Sequence, residues 1–250
     1  LELFRKKRLT EISKRKGRAV KPSTVNRDVS NLRAMLNKAV EHAKIEVNPI
    51  GRIKLLEENN VRERVLSQDE FESLHLHCPP SLKGIVLIGF YLPMRQAEIL
   101  NLTWKEIDLK MGFIRLGGER TKNKIGRNIP LHPRIIEFLR TCPRPIDGGY
   151  VFGNSRRFNR KAYNKAVESA GIADFNFHDL RHCAINNMRL AGNDHFVIKQ
   201  ASGAKTDSAF QRYNLVTEQE MKSIKWLDEK SVKSGTMDTY MDTSTKTKIV

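Results

Sequence analysis

The stretch GFYLPMRQAEILNLTW, residues 89–104, joins the end of an apolar segment to an arginine and a glutamate. The apolar residues 85–92 predict a buried helix that ends at Pro93, because a proline disfavours helical backbone in the residue before it. Residues 95–102 predict a second, shorter helix. Arg95 therefore stands at the start of a helix, which is a favourable place for an anion, although most arginines in such places are ordinary surface residues.

Outward from this stretch, the chain shows further helices and two short strands. Ser67 and Glu70 stand three residues apart and predict a helix that begins with a capping box. Residues 113–116 and 128–131 have the pattern of short strands joined by a polar turn. From residue 133 onward the pattern is helical. The predicted fold class is therefore mainly α with a small antiparallel β-sheet.

The charge balance favours a polyanionic partner. The chain of 250 residues has 45 lysines and arginines against 28 aspartates and glutamates, a formal net charge of +17. Residues 1–60 hold fifteen of these cations and seven of the anions, so the excess is marked at the start of the chain. Such an excess points to a nucleic-acid partner, either DNA or RNA, although a basic protein without that function can have the same balance.

The chain divides into two predicted domains and a tail. Residues 1–56 contain two helical patterns, which are few for an independent domain, so we expect them to be part of a larger helical DNA-binding domain. The polar and charged residues 57–65 predict a linker. Residues 66–228 form the second predicted domain. Residues 229–250 are rich in Ser, Thr, Lys and Asp and predict a flexible C-terminal tail.

The apolar segments and the cysteines favour a cytoplasmic protein. The longest apolar run, residues 85–92, is too short to cross a bilayer, so we expect no membrane partner. The three cysteines are scattered and form no CxxC pair, which fits free thiols in a reducing cytoplasm better than a disulfide framework.

Four further residues are candidates for phosphate chemistry. Phosphoryl transfer needs cations that hold the phosphate oxygens, a nucleophile and a proton donor. Arginine suits the first task because its planar fork can bind two oxygens at once. His178 and Arg181 stand three residues apart, and on a helix they would share one face. Lys122 lies in the predicted polar turn, and Tyr213 is a candidate nucleophile; each of the four, taken alone, is more often an ordinary surface or core residue.

The order of these residues resembles that of the tyrosine recombinase, or phage integrase, family. Residues 89–104 resemble the first arginine segment of the family, and residues 121–131 resemble its lysine-bearing hairpin. The sequence HDLRH at residues 178–182 resembles its His-x-x-Arg segment. Residues 202–214 resemble the final segment, which holds the nucleophilic tyrosine. The resemblance covers roughly residues 20–228, and four segments in the family's order make it specific.

The resemblance implies a tyrosine-recombinase catalytic domain in residues 66–228, preceded by a partial helical core-binding domain. Arg95 and Arg181 would bind the scissile phosphate and stabilise its added negative charge. Tyr213 would attack phosphorus and form a 3′-phosphotyrosine with a free 5′-hydroxyl. Because a free tyrosine has a pKa near ~10, it needs help to ionise, and His178 is the candidate for that help.

Two further roles and the expected partners follow from the same resemblance. Lys122 would protonate the departing 5′-oxygen, and Glu98 would orient an arginine or another neighbour of the site. No metal and no other cofactor is expected, because the arginines and the lysine can supply the electrostatic stabilisation. The family works as a tetramer on two DNA sites, so the resemblance implies double-stranded DNA as the partner. A homotetramer on DNA is expected, with accessory DNA-bending factors as possible partners.

One position departs from the family pattern, and it keeps other functions open. The family usually has His, or sometimes Trp, where this chain has Ala204, and alanine cannot donate a hydrogen bond to the phosphate. The alternative function is therefore a catalytically impaired DNA-binding or architectural protein of the same fold. A type IB topoisomerase-like enzyme is a third alternative, against which the compact spacing from His178 to Tyr213 argues.

Overall fold

The computed structural model describes residues 1–13, 17, 19–58, 64–120, 126–146, 148–153, 156–204 and 221–222. The helices in these ranges are α1 Glu2–Thr10, α2 Pro22–Glu41, α3 Gln68–His77, α4 Pro80–Tyr91, α5 Gln96–Leu100, α6 Pro133–Thr141, α7 Arg160–Ser169, α8 Asp179–Leu190 and α9 His195–Ser202. The strands are β1 Ile107–Asp108, β2 Phe113–Leu116 and β3 Arg127–Pro130. None of the described helices combines the length and the apolar content that a membrane span requires.

The three strands form one antiparallel sheet in the order β1-β2-β3. Ile114 of β2 pairs with Ile107 of β1 on one side and with Ile129 of β3 on the other. These three isoleucines are buried, and they lie on one face because directly paired residues of neighbouring strands point to the same side of a sheet. The predicted fold class, mainly α with a small antiparallel β-sheet, is confirmed.

Hydrogen bonds join the first two helices to the segment that follows them. Arg5 of α1 is buried, and its guanidinium donates to the backbone carbonyl of Lys54 at 2.7 Å. Asn26 of α2 is also buried and exchanges two hydrogen bonds with the backbone of Leu56, at 2.8 and 2.9 Å. A buried polar group is costly unless it finds a partner, so these bonds hold the segment against α1 and α2.

Helix α4 lies in the middle of the larger hydrophobic core. It is apolar on nearly all sides, as expected for a helix surrounded by other elements, and it packs against α3, α6 and α8. Phe90 of α4 stacks on Phe71 of α3, with ring centroids 3.8 Å apart. Gly84 leaves room for the ring of Phe138, since a Cβ atom at this glycine would lie only 2.1 Å from it.

The predicted capping box at the start of α3 is confirmed. The hydroxyl of Ser67 accepts a hydrogen bond from the backbone N–H of Glu70 at 3.1 Å, and the carboxylate of Glu70 accepts one from the backbone N–H of Ser67 at 2.9 Å. Arg64 also donates to this carboxylate, and the hydrogen bond holds the pKa of Glu70 below its usual value. The start of α3 is therefore fixed by local contacts.

We expect the substitution Ser67→Ala to lower the free energy of unfolding by about 1 kcal/mol, the typical cost of losing an N-cap hydroxyl. Chemical unfolding followed by circular dichroism measures the change. Ser73→Ala, inside the same helix, is the matched control and should have a smaller effect. Equal losses in the two variants would contradict this interpretation of the capping box.

Candidate active site

Arg95 lies directly before α5, so the predicted helix start at this arginine is confirmed. Its backbone N–H donates to one oxygen of the Glu98 carboxylate at 2.7 Å, and its guanidinium donates to the other oxygen at 3.0 Å. The side chain of Glu98 is 6% exposed, whereas that of Arg95 is 28% exposed. The buried carboxylate therefore orients an arginine whose guanidinium still reaches the surface.

Arg181 lies in the first turn of α8 and is buried. Its guanidinium donates to the backbone carbonyl of Pro93, just after α4, and to that of Ser202, the last residue of α9, at 2.8 Å. His178 directly precedes α8, with helical backbone angles. The arginine thus connects α8 to the end of the next helix and to a segment 88 residues earlier in the chain.

The turn after α9 completes the group of described site residues. Gly203 ends the helix in the left-handed conformation, with φ of 67°, which glycine adopts without strain. Its carbonyl accepts a hydrogen bond from Arg95 at 3.4 Å. The backbone N–H of Ala204 donates to the hydroxyl of Ser202 at 3.3 Å, and Ala204 packs against the small apolar cluster of Ile185 and Ile198.

The structure thus gathers five of the seven site residues named from the sequence: Arg95, Glu98, His178, Arg181 and Ala204. Lys122 and Tyr213 lie outside the described residues.

Arg127, the first residue of β3, also belongs to this group, although the sequence alone did not single it out. Its guanidinium donates to both oxygens of Glu98, at 2.7 and 3.2 Å, and to the backbone carbonyl of Ala201 at 2.9 Å. Strand alternation was the one available signal, because it places Arg127 on the same face as the buried Ile129.

The buried charges change the proton affinity of two site residues. Burial alone would raise the pKa of Glu98, but the hydrogen bond and charge of Arg127 outweigh it, so the pKa lies below its usual value. Burial lowers the pKa of His178, and the charges of Arg181 and Arg95 lower it further, against the opposing charge of Asp179. At neutral pH the site therefore holds an ionised carboxylate and a neutral imidazole, which can accept a proton.

An open cleft of about 490 Å³ lies beside Arg95. Its walls include Glu98 and Asn101 of α5, together with Tyr150 and Arg156 from the loop between α6 and α7. The guanidinium of Arg156 lies 5.1 Å from the centre of the Tyr150 ring and donates to its hydroxyl at 3.3 Å. Two arginines thus border a cleft wide enough for a phosphate group.

In the described part of the chain, no three His, Cys, Asp or Glu side chains are grouped so that they could hold a metal ion.

Comparison with known families and relatives finds integrases and a DNA recombinase. The model of the phage integrase family matches residues 64–220. A shufflon-specific DNA recombinase of Escherichia coli is 31% identical over 215 residues, which are 84% of this chain and 55% of that protein. The integrase of Salmonella phage P22 is 27% identical over 203 residues, 74% of this chain and 52% of that protein. The chain thus spans about half the length of these two relatives.

Solved structures share the fold. The Tn1549 transposon integrase, solved with circular intermediate DNA, has a TM-score of 0.63 at 16% identity and covers 82% of this chain and 79% of its own. A lambda integrase dimer bound to a COC′ core site has a TM-score of 0.62 at 19% identity, with 77% and 73% covered. At these identities the likeness shows the fold alone.

The lowered pKa of His178 predicts how stability responds to pH. The unfolded chain protonates this imidazole near pH ~6.5, whereas the folded protein keeps it neutral to a lower pH. The contribution of His178 to the free energy of unfolding is therefore full above pH ~6.5 and is lost as the pH falls below that value. Titration by NMR should place the midpoint of His178 below that of the same histidine in the urea-unfolded protein. A midpoint equal to or above the unfolded value would contradict the conclusion that burial and the nearby arginines lower the pKa of His178.

Proposed function

The chain belongs to the phage integrase family, and we propose that it is a site-specific recombinase that cleaves and rejoins DNA through a 3′-phosphotyrosine bond. The observation that carries this proposal is the convergence of two arginines on one turn. Arg95 donates to the carbonyl of Gly203, and Arg181 donates to that of the neighbouring Ser202. Because the chain spans about half the length of its curated relatives, the activity of the whole protein is part of the proposal.

The arginines account for the binding of the scissile phosphate. A phosphodiester in the transition state of transfer carries extra negative charge on its non-bridging oxygens, which guanidinium groups stabilise through paired N–H donors. Glu98 holds Arg95 by one side-chain contact, so further donors of this guanidinium can face a phosphate. Arg181 supplies a second positive charge from within the protein, where electrostatic interactions are strong.

The proposed cleavage step includes two proton transfers, one from the attacking tyrosine and one to the departing 5′-oxygen. The hydroxyl oxygen of Tyr213 bonds to phosphorus while the bond from phosphorus to the 5′-oxygen breaks. His178, neutral at pH 7, takes the proton of the tyrosine, and Lys122 gives a proton to the departing 5′-oxygen. Rejoining reverses these transfers, and no ATP is needed because the phosphotyrosine retains the energy of the broken phosphodiester.

The proposal includes the partners and the domain organisation. Residues 1–56 would complete a clamp around double-stranded DNA together with a catalytic domain in residues 66–228, linked by residues 57–65. The net charge of +17 supports this arrangement, and affinity should fall steeply with salt because phosphate contacts release counterions. A homotetramer on two DNA sites, accessory DNA-bending factors and a cytoplasmic location are parts of the same proposal, as is a flexible tail in residues 229–250.

Ala204 favours a second candidate function. At this position the methyl group packs against apolar side chains and offers no donor to a phosphate. A protein with this site would bind DNA and serve an architectural or regulatory role with impaired cleavage. Covalent attachment to DNA distinguishes the two functions, because only the recombinase forms it.

We expect the protein to relax supercoiled plasmid that carries the recombination site of its source element, in a buffer with EDTA, and to form covalent adducts on denaturing gels. Tyr213→Phe should abolish both activities while it leaves DNA binding unchanged, because it removes only the attacking oxygen. Adducts that persist in Tyr213→Phe would contradict the assignment of the nucleophile. DNA binding without any adduct would favour the second function.

We expect the Ala204→His variant to cleave DNA faster than the natural chain, by up to about 10²- to 10³-fold, because one donor to a developing oxyanion contributes that much in rate where it acts fully. Single-turnover adduct formation measures the rate. Ala204→Leu is the matched control, since it adds bulk at the same position without a donor. A rate of adduct formation in Ala204→His no higher than that of the natural chain would contradict this interpretation of position 204.

A further inference from the structure

The ion pair of Arg127 and Glu98 is the starting point for an inference about how the proposed active site is organised. Their side chains are 3% and 6% exposed, and each of the two terminal guanidinium nitrogens donates to a different carboxylate oxygen. Such a pair costs several kcal/mol in lost hydration, and replacing it with apolar side chains is often neutral or stabilising. Stability alone therefore gives no reason for this pair.

The carboxylate of Glu98 is shared unequally between two arginines. Arg127 binds it with two guanidinium donors, at 2.7 and 3.2 Å. Arg95 reaches it with one guanidinium donor, at 3.0 Å, and with its backbone N–H. The buried Arg127 uses two guanidinium donors on Glu98, whereas the more exposed Arg95 uses one. The guanidinium of Arg95 therefore retains donors that do not bind Glu98.

We propose that Arg127 is a positioning residue for Arg95. Arg127 binds both oxygens of Glu98, so the carboxylate orients Arg95 through a single side-chain contact. Because the carboxylate is bound to Arg127, it does not cancel the positive charge of Arg95. The three side chains together carry two positive charges and one negative charge. The surplus positive charge is then available at Arg95, the member of the group that reaches the surface. This role rests on the proposed recombinase function.

A second contact extends the role of Arg127 to the turn after α9. Its guanidinium donates to the carbonyl of Ala201, and a Cβ atom at Gly203 would lie 3.0 Å from the same guanidinium. Arg127 thus lies directly against the turn whose carbonyl accepts a hydrogen bond from Arg95. One buried side chain thus contacts both the carboxylate that orients Arg95 and the turn after α9.

The substitution Arg127→Met tests the proposal, because methionine keeps much of the side-chain length and removes the charge. Single-turnover cleavage is measured on a duplex whose cleavage site has been mapped with the natural chain. We expect cleavage to slow by about 10- to 100-fold, by analogy with the loss seen when partners that orient metal ligands are removed, with little change in DNA affinity. Arg115→Met, which removes an exposed arginine from the neighbouring strand, is the matched control and should cleave at nearly the natural rate.

A duplex with a methylphosphonate at the scissile position separates positioning from general damage. This group replaces one non-bridging oxygen with methyl, so the phosphate is neutral and depends less on a correctly placed guanidinium. Positioning predicts that most of the rate difference between Arg127→Met and the natural chain disappears on the neutral substrate. An equal defect on both substrates would mean a merely structural role and would overturn the proposal.

The double variant Arg127→Met with Glu98→Gln keeps the test valid if the single variant fails to fold, because it leaves no unpaired buried charge. We expect it to cleave faster than the single variant and to show the same reduced defect on the methylphosphonate. If the natural chain cleaves DNA and the Arg127 variants cleave it equally fast, the positioning role is wrong. If the natural chain cleaves no DNA at all, the proposed function itself fails.

Discussion

The hydrogen bonds of buried Arg181 to two backbone carbonyls are the constraint on which the rest of the site depends. One guanidinium in the first turn of α8 joins Pro93, between α4 and α5, to Ser202, at the end of α9. A charged donor makes these bonds strong, roughly 1.5–3 kcal/mol each, and leaving either carbonyl buried without a partner would be costly. The ends of α4 and α9 therefore keep a fixed distance, and Arg95 and Ala204 keep their places.

The three arginines of the site differ in how deeply they are buried. The buried arginines, Arg127 and Arg181, are held by backbone carbonyls and by Glu98, whereas the guanidinium of Arg95 reaches the surface. Burial near these cations also keeps His178 neutral at pH 7. A site with preorganised positive charge and a neutral base is suited to a reaction in which negative charge grows on a phosphate, because little reorganisation is needed during the step.

Local features of the fold could be predicted from the sequence, whereas contacts between distant segments could not. Ser67 and Glu70 determine the start of α3 through hydrogen bonds between residues three apart in the sequence, so the local sequence pattern was sufficient to predict it. Strand β1 has only two residues, which are too few for an alternating pattern, and its pairing with β2 defines it, so the sequence pattern did not predict it. Arg127 was missed for a similar reason. Its partner Glu98 lies on a different element, and nothing within β3 indicates what a buried arginine there would bind.

Mass spectrometry of the protein after reaction with its DNA site, denaturation and digestion with nuclease and protease tests most directly whether Tyr213 becomes bonded to DNA. We expect a nucleotide attached through its 3′-phosphate to the peptide that contains Tyr213, and a free 5′-hydroxyl on the other DNA end. Attachment to another residue, attachment through a 5′-phosphate, or a complete absence of attached nucleotide would contradict it.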